Sequence, residues 1–183
     1  NIKIRIIENS SEFKFKEKSA AYHNFSGLFE LQKNHAYVSD LNGKLNDVSV
    51  LMDGYFRNFL PYVLSKTEPL TVEAHTRIDK ANIKKLLQDF EQKEDTSSEE
   101  KGKINLNLRL EANNLIYGKL IARNVKSTVQ IHDEIIQYEN LKFETASGKI
   151  YSYGKLTPLE NGNYHFKMKS EAKQVNSSEF FRQ

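Results

Sequence analysis

Apolar and polar residues alternate along most of this chain. In INLNLRLEA, Ile104, Leu106, Leu108 and Leu110 take every second position, with Asn105, Asn107, Arg109 and Glu111 between them. Successive side chains of an extended chain point to opposite faces, so a period of two predicts strands with one apolar and one wet face. The alternation recurs at Ile2, Ile4 and Ile6, at Phe13 and Phe15, at Phe29 and Leu31, and at Leu70, Val72 and Ala74. It returns at Val129 and Ile131 and at Tyr164, Phe166 and Met168. Runs spaced by about ten residues and separated by Asn, Gly and Asp clusters predict antiparallel meandering strands. Turns are expected at Asn42-Gly43, Asp53-Gly54, Ser147-Gly148 and Asn161-Gly162, each of which offers a residue tolerant of positive φ.

The phase slips twice. Leu120 and Ala122 share one parity, while Val125, Ser127, Val129 and Ile131 take the other; Ile136 and Tyr138 are likewise out of phase with Leu141 and Phe143. One extra residue near Arg123-Asn124 and another near Glu139-Asn140 restores a common apolar face. Bulges of this kind twist and bend a sheet. The fold class expected is therefore mostly β: a twisted, curved antiparallel meander sheet, an open trough or half-barrel, with two or three short helices.

Helical spacing is confined to a few places. Ile83, Leu86, Leu87 and Phe90 stand at i, i+3, i+4 and i+7, with Asp79 as the expected N-cap. FLPYVLSK, Phe59 to Lys66, suits one short helix with Pro61 near its start. In the final NSSEFFRQ, Asn176 and Glu179 form a capping-box spacing. Residues 91–103 contain no large apolar side chain and are expected to be a mobile linker. They divide the chain into a unit over 1–90 and a unit over 104–183, each a β-meander ending in a strand and a capped helix. LNGKL at Leu41 to Leu45 and ASGKI at Ala146 to Ile150 hold comparable places ahead of those endings.

Composition narrows the function. The 183 residues leave room for one domain or for two small units with a shared core. Apolar residues make up 38%, with 11 Phe and 9 Tyr, which suit strands, and no Cys, which excludes disulfides, thiolate metal sites and cysteine nucleophiles. The 27 basic and 24 acidic residues are mixed along the chain, unlike the concentrated basic face of a nucleic-acid binder. Lys14, Lys16 and Lys18, and Lys167 and Lys169, read as solvated faces of amphipathic strands. No apolar run reaches the ~18 residues needed to cross a bilayer as a helix. The chain opens at Asn1 inside a strand pattern, so it is expected to be a piece of a longer protein.

Catalytic chemistry is not visible. The five histidines, His23, His35, His75, His132 and His165, include no pair at metal-ligand spacing. His132-Asp133-Glu134 suits a solvated turn, and Glu99-Glu100 falls in the linker, away from positioned neighbours. No phosphate-cradling glycine loop and no GxSxG elbow occurs. Tyr151 and Tyr153 alternate on one strand without an RNA-binding signature, and read as surface or core tyrosines. No enzyme activity, no cofactor and no metal is expected.

The segment LNLRLEANNLIYGKLIARNVKSTVQIHDEIIQYENLKFETASGKIYSYGKL, Leu106 to Leu156, followed by YHFKMKSEAKQVNSSEFF, resembles the C-terminal region of the AsmA-like proteins. The similarity rests on the step Leu115-Ile116-Tyr117-Gly118, the break Ala122-Arg123-Asn124 and the glycine turn Ser147-Gly148-Lys149. SDLNGKLNDVSVLMDGYFRNF and the IDKANIKKLL helix extend it into the first half. His132-Asp133-Glu134 replaces a frequent Asp-Gly of that pattern, and Ser147 stands where a second glycine is frequent. The resemblance implies a large protein anchored in the bacterial inner membrane and projecting into the periplasm. It also implies a role in outer-membrane biogenesis or phospholipid transport along a β-sheet groove, without catalytic residues. The residues expected to line the apolar face, as lipid contact or as core, are Ile104, Leu106, Leu108, Leu110, Val129, Ile131, Leu141, Phe143, Phe166 and Met168. Leu86, Leu87 and Phe90 are expected to plug it. Phospholipid acyl chains are the expected partners, with other envelope proteins through the sheet edges, and no nucleic acid. The alternative is a structural or protein-interaction scaffold of the envelope with a self-filled core.

Overall fold

The structure, a computed structural model, describes residues 2–6, 12–14, 21–65, 68–85, 103–159 and 163–180. Eleven strands form one sheet. They are β1 (Ile2–Ile6), β2 (Glu12–Lys14), β3 (Ala21–Gln32), β4 (His35–Leu45), β5 (Val48–Arg57) and β6 (Leu70–Asn82) in the first half. The second half contributes β7 (Ile104–Tyr117), β8 (Leu120–His132), β9 (Ile135–Thr145), β10 (Gly148–Pro158) and β11 (Tyr164–Lys173). β1 and β2 both pair with β3, β1 along residues 27–31 and β2 along 21–23, so the two share one strand position at the edge. The sheet is thus ten positions wide, with β1/β2 at one edge and β11 at the other, and it does not close into a barrel. Two short helices lying wholly within the described residues, α1 (Phe59–Leu64) and α2 (Ser177–Phe180), accompany it.

Every neighbouring pair is antiparallel except one: β6 and β7 run parallel, with Leu70 opposite Ile104 and Asn82 opposite Ile116. A parallel pair needs a crossover connection, because the chain must return to the end where the first strand began. Residues 83–103 make that return, and the first three, 83–85, are helical. Asn82 caps this helix through its Oδ1, which accepts the Lys85 N–H at 3.1 Å. The cap is not Asp79, which stays inside β6; there its Oδ1 accepts from the Asn113 amide across the parallel junction at 2.9 Å.

The bulges fall where the phase slips. β8 and β9 lose register between Arg123 and Thr128, around Asn124. β9 and β10 lose it between Ser152 and Gly154, opposite Glu139 and Asn140. Asn124 and Asn140 have φ of 51° and 52°, the left-handed region that Asn tolerates better than most residues.

The first half repeats this geometry 100 positions earlier. Asn24 and Asp40 have φ of 50° and 51°, and the same pairings are interrupted there. The hairpin turns at 33–34 and 46–47 likewise match those at 133–134 and 146–147. In this alignment Leu41 of LNGKL corresponds to Leu141, and ASGKI corresponds to residues 46–50. The two pentapeptides are therefore not equivalent: LNGKL lies within β4, and ASGKI spans the β9–β10 turn.

Two expected turns are strand interior. Asn42-Gly43 lies in β4 and Asp53-Gly54 in β5, where Gly43 opposes Val50, and Gly54 opposes Val38 and Ala74. The β4–β5 reversal uses Asn46-Asp47 instead, with Asn46 at φ 53°. Ala146-Ser147 has positive φ at both positions, as does Asp133-Glu134, and this suits the right-handed twist of a tight hairpin. Leu86, Leu87, Phe90, Phe15, the Asn161-Gly162 turn and residues 91–102 of the expected linker lie outside the described residues.

Candidate functional site

The strand register sorts the side chains into cross-sheet rungs, since directly opposed residues share a face. One rung runs through Ile2, Leu31, Ala36, Phe56, Val72, Leu106, Ile131, Ile136, Leu156 and Phe166, one residue from each of the ten positions. The next runs through Ile4, Phe29, Val38, Gly54, Ala74, Leu108, Val129, Tyr138, Gly154 and Met168. Neither contains a charged residue. The rung between them, on the opposite face, reads Lys3, Glu30, Tyr37, Tyr55, Glu73, Asn107, Gln130, Gln137, Lys155 and Lys167. The sheet therefore has one apolar and one polar face from edge to edge.

The apolar face is covered unevenly by the described residues. In the first half α1 lies over it: the Phe59 ring packs edge-on against Phe29 at 5.4 Å and Phe56 at 6.3 Å. Ala36, Val38, Leu70 and Val72 nearby are buried. A second set of buried residues, Val48, Val50, Ala81, Ala112, Ala122 and Val125, lies toward the other end of the strands. Most of these side chains are small, and no large side chain among the described residues is fully buried. In the second half β10 runs to Pro158 and β11 begins at Tyr164, and among the described residues no helix stands where α1 does in the first. There Leu106, Leu108, Val129, Ile131, Ile136 and Leu156 are only half-buried, and Phe166 and Met168 are 53% and 60% exposed.

The ten residues expected to line this face divide into three groups. Leu106, Leu108, Val129, Ile131, Phe166 and Met168 belong to the two rungs. Leu141 and Phe143 pack on the buried Ala112–Ala122–Val125 cluster. Ile104 and Leu110 stand beside the rungs: Ile104 opposes Leu70 and is 48% exposed, and Leu110 lies between Thr76 and Ser127. The expected plug, Leu86, Leu87 and Phe90, is outside the described residues.

Sequence reasoning left out Ala36, Val38, Phe56, Ile136 and Leu156. Alternation was visible at most of them, but only the register joins them into rungs. It also missed a small polar patch on the apolar side. The Ser152 hydroxyl is buried, 2.8 Å from the Ser170 hydroxyl and 3.1 Å from the Tyr138 hydroxyl, and donates to the Lys169 carbonyl at 3.1 Å. The Tyr138 ring reaches it by lying over Gly154, where a Cβ would come within 2.6 Å of the ring.

The polar face is laced with ion pairs on its central and first-half strands. Arg77 bonds Asp53 at 2.6 Å, Arg57 lies 3.6 Å from Glu73, and Lys126 lies 3.4 Å from Glu111. Burial acts to raise the Glu111 pKa, but the hydrogen bond and charge of Lys126, with His75, outweigh it and hold the carboxyl below its usual range. Lys103 donates to Asp133 at 2.9 Å; that bond lowers the pKa of the aspartate and raises that of the lysine. No group of three or more potential metal ligands occurs among the described residues. No helix among them is long and apolar enough to cross a membrane.

Comparison with protein-family models, with curated proteins and with solved structures returned no match.

Proposed function

We propose that this chain is a non-enzymatic segment of a membrane-anchored, AsmA-like envelope protein on the periplasmic side of the inner membrane. In this reading its apolar sheet face holds phospholipid acyl chains in outer-membrane biogenesis or lipid transport. The observation that carries it is the pair of uncharged rungs crossing all ten strand positions, half-open over β7 to β11. A soluble surface rarely leaves contiguous apolar patches beyond a few hundred Å² without a partner. Acyl chains match such a face because they need no directional bonds, and the rungs offer none apart from the Tyr138–Ser152–Ser170 patch.

A second reading, a structural or protein-interaction scaffold of the envelope, is favoured by β11. All ten of its residues are exposed, and among the described residues its outer edge has no partner strand, a geometry that can recruit a strand from another protein.

Lipid extraction and mass spectrometry of the purified protein separate the two. The acyl reading expects co-purifying phospholipid that is lost in Leu108→Asp while the circular dichroism of a folded sheet persists. The scaffold reading expects no lipid in the wild type and unfolding of the same variant.

A further inference from the structure

The polar face changes character at β10 and β11. These two strands carry five lysines, Lys149, Lys155, Lys167, Lys169 and Lys173, against one glutamate, Glu171, and no arginine. Lys155 and Lys167 are direct cross-strand partners. Like charges placed directly opposite destabilise a sheet. Among the described residues neither has a carboxylate at ion-pair distance, and the same holds for Lys142 and Lys169. These four lysines line a groove of about 960 Å³ together with Tyr151 and Tyr153, which are 39% and 55% exposed. Two carboxylates line it as well, Glu139, which accepts from Gln137, and Glu171, which pairs with Lys173, so lysines outnumber carboxylates there by four to two.

We infer that this groove is a docking site for the anionic phosphate headgroups of a bilayer surface. Unpaired lysines of one sign complement a negatively charged layer, and a net charge of +3 for the whole chain shows that the excess is local rather than general. Lysine is a compact point charge without the planar fork of arginine, which suits a diffuse headgroup layer better than one bidentate ligand. Tyrosines among the lysines have the amphipathic rings found at membrane interfaces. On the reverse of the same strand Phe166 and Met168 are exposed, so β11 carries cations on one side and apolar groups on the other.

A single-stranded nucleic acid fits less well. It needs successive free aromatic platforms, and the Tyr151 ring already carries the Lys173 ammonium 5.2 Å from its centroid. The groove lies on the face opposite the acyl-contact rungs, so this inference holds or fails separately from that reading.

The test is sedimentation of the full chain with phosphatidylcholine vesicles, with and without phosphatidylglycerol. Binding is expected only to the anionic vesicles, with loss at high salt. The triple variant Lys155→Gln, Lys167→Gln, Lys169→Gln should bind about a hundredfold more weakly, given the contribution of each basic residue near an anionic surface. Lys33→Gln, Lys44→Gln, Lys80→Gln changes net charge equally in the first half and should bind as the wild type does. Lys167→Gln alone should raise the thermal midpoint, by removing the opposed charge, while weakening vesicle binding. Equal binding to neutral vesicles, equal loss in the two triple variants, or binding to a single-stranded oligonucleotide in place of vesicles would each overturn the inference.

Discussion

Asn24 and Asn124 occupy the same bulge in two successive units of the sheet, 100 residues apart, with φ of 50° and 51°. Each interrupts the pairing of its strand with the next hairpin strand, β3 with β4 and β8 with β9. Asn is among the few residues that visit the left-handed region readily; the cost for other L-residues is roughly 1–2 kcal/mol. Asn124→Val should therefore lower the unfolding free energy by about that amount, and Asn24→Val should do the same. Asn124→Gly should fall well short of it. Urea denaturation of the three variants checks this, and equal losses for Val and Gly would assign the cost to the Asn124–Glu144 side-chain bond of 2.9 Å instead.

Gly148 lies close against the backbone of Lys173 and Val175. A Cβ at 148 would lie 2.5 Å from the Val175 nitrogen and 2.6 Å from the Lys173 carbonyl oxygen, and both are main-chain atoms that cannot rotate away. Gly148→Ala should destabilise by about 1–3 kcal/mol, the usual cost of overpacking. It should also free the segment leading to α2. Hydrogen exchange at Asn176, whose N–H donates to the Ala146 carbonyl at 2.9 Å, should accelerate more than exchange in β7. Unchanged protection at Asn176 would contradict the contact.

Lys103 and Asp133 tie the start of β7 to the β8–β9 turn. Asp133 is held below its usual pKa first by the Lys103 hydrogen bond, then by the Lys103 charge and His132. A lowered carboxylate contributes stability in full above its unfolded-state pKa of about 3.9 and loses it as pH falls through the folded-state value. The raised Lys103 contributes in full below about 10.4 and loses its share as pH rises through its own folded-state value. The stability difference between wild type and Asp133→Asn should thus be constant around neutrality and shrink toward zero in acid. Both side chains are half exposed or more, so the difference is small. Urea midpoints across the acidic range check it; a difference that grows on acidification would reverse the sign.

Much of the fold could be read from alternation because one face of every strand is apolar, and a period of two has a single structural meaning. The bulges at Asn124 and Asn140 were legible as breaks of phase. The bulge at Asp40 was missed although Ala36 and Val38 fall out of phase with Leu41 as Ile136 and Tyr138 do with Leu141, because Tyr37 also carries an apolar ring and blurs the alternation. The one at Asn24 lies between Tyr22 and Phe25, which blur it likewise. The parallel β6–β7 junction was hidden as well: no local pattern distinguishes a strand that pairs beside its neighbour in sequence from one reached by a crossover. Asp53-Gly54 misled because glycine also serves where a neighbouring strand's side chain needs room, as Gly54 does beside Ala74, and Asn42-Gly43 is likewise strand interior, opposite Leu51 and Val50.

The candidate site was half visible. Leu106, Leu108, Val129 and Ile131 announce an apolar side, but alternation does not tell which part of it is covered; among the described residues α1 covers only the first half. The lysine groove escaped because Lys142, Lys155 and Lys167 come from three strands and meet only through register.

The central claim is that the rung through Leu108 and Val129 contacts acyl chains while the adjacent polar rungs do not. Single photo-crosslinking residues placed at Leu108 and at Arg109 test it most directly, since neighbours in one strand face opposite sides. In membranes or with added phospholipid, irradiation should give lipid adducts, read by mass spectrometry, at 108 and not at 109. Adducts at neither position, or equally at both, would contradict it.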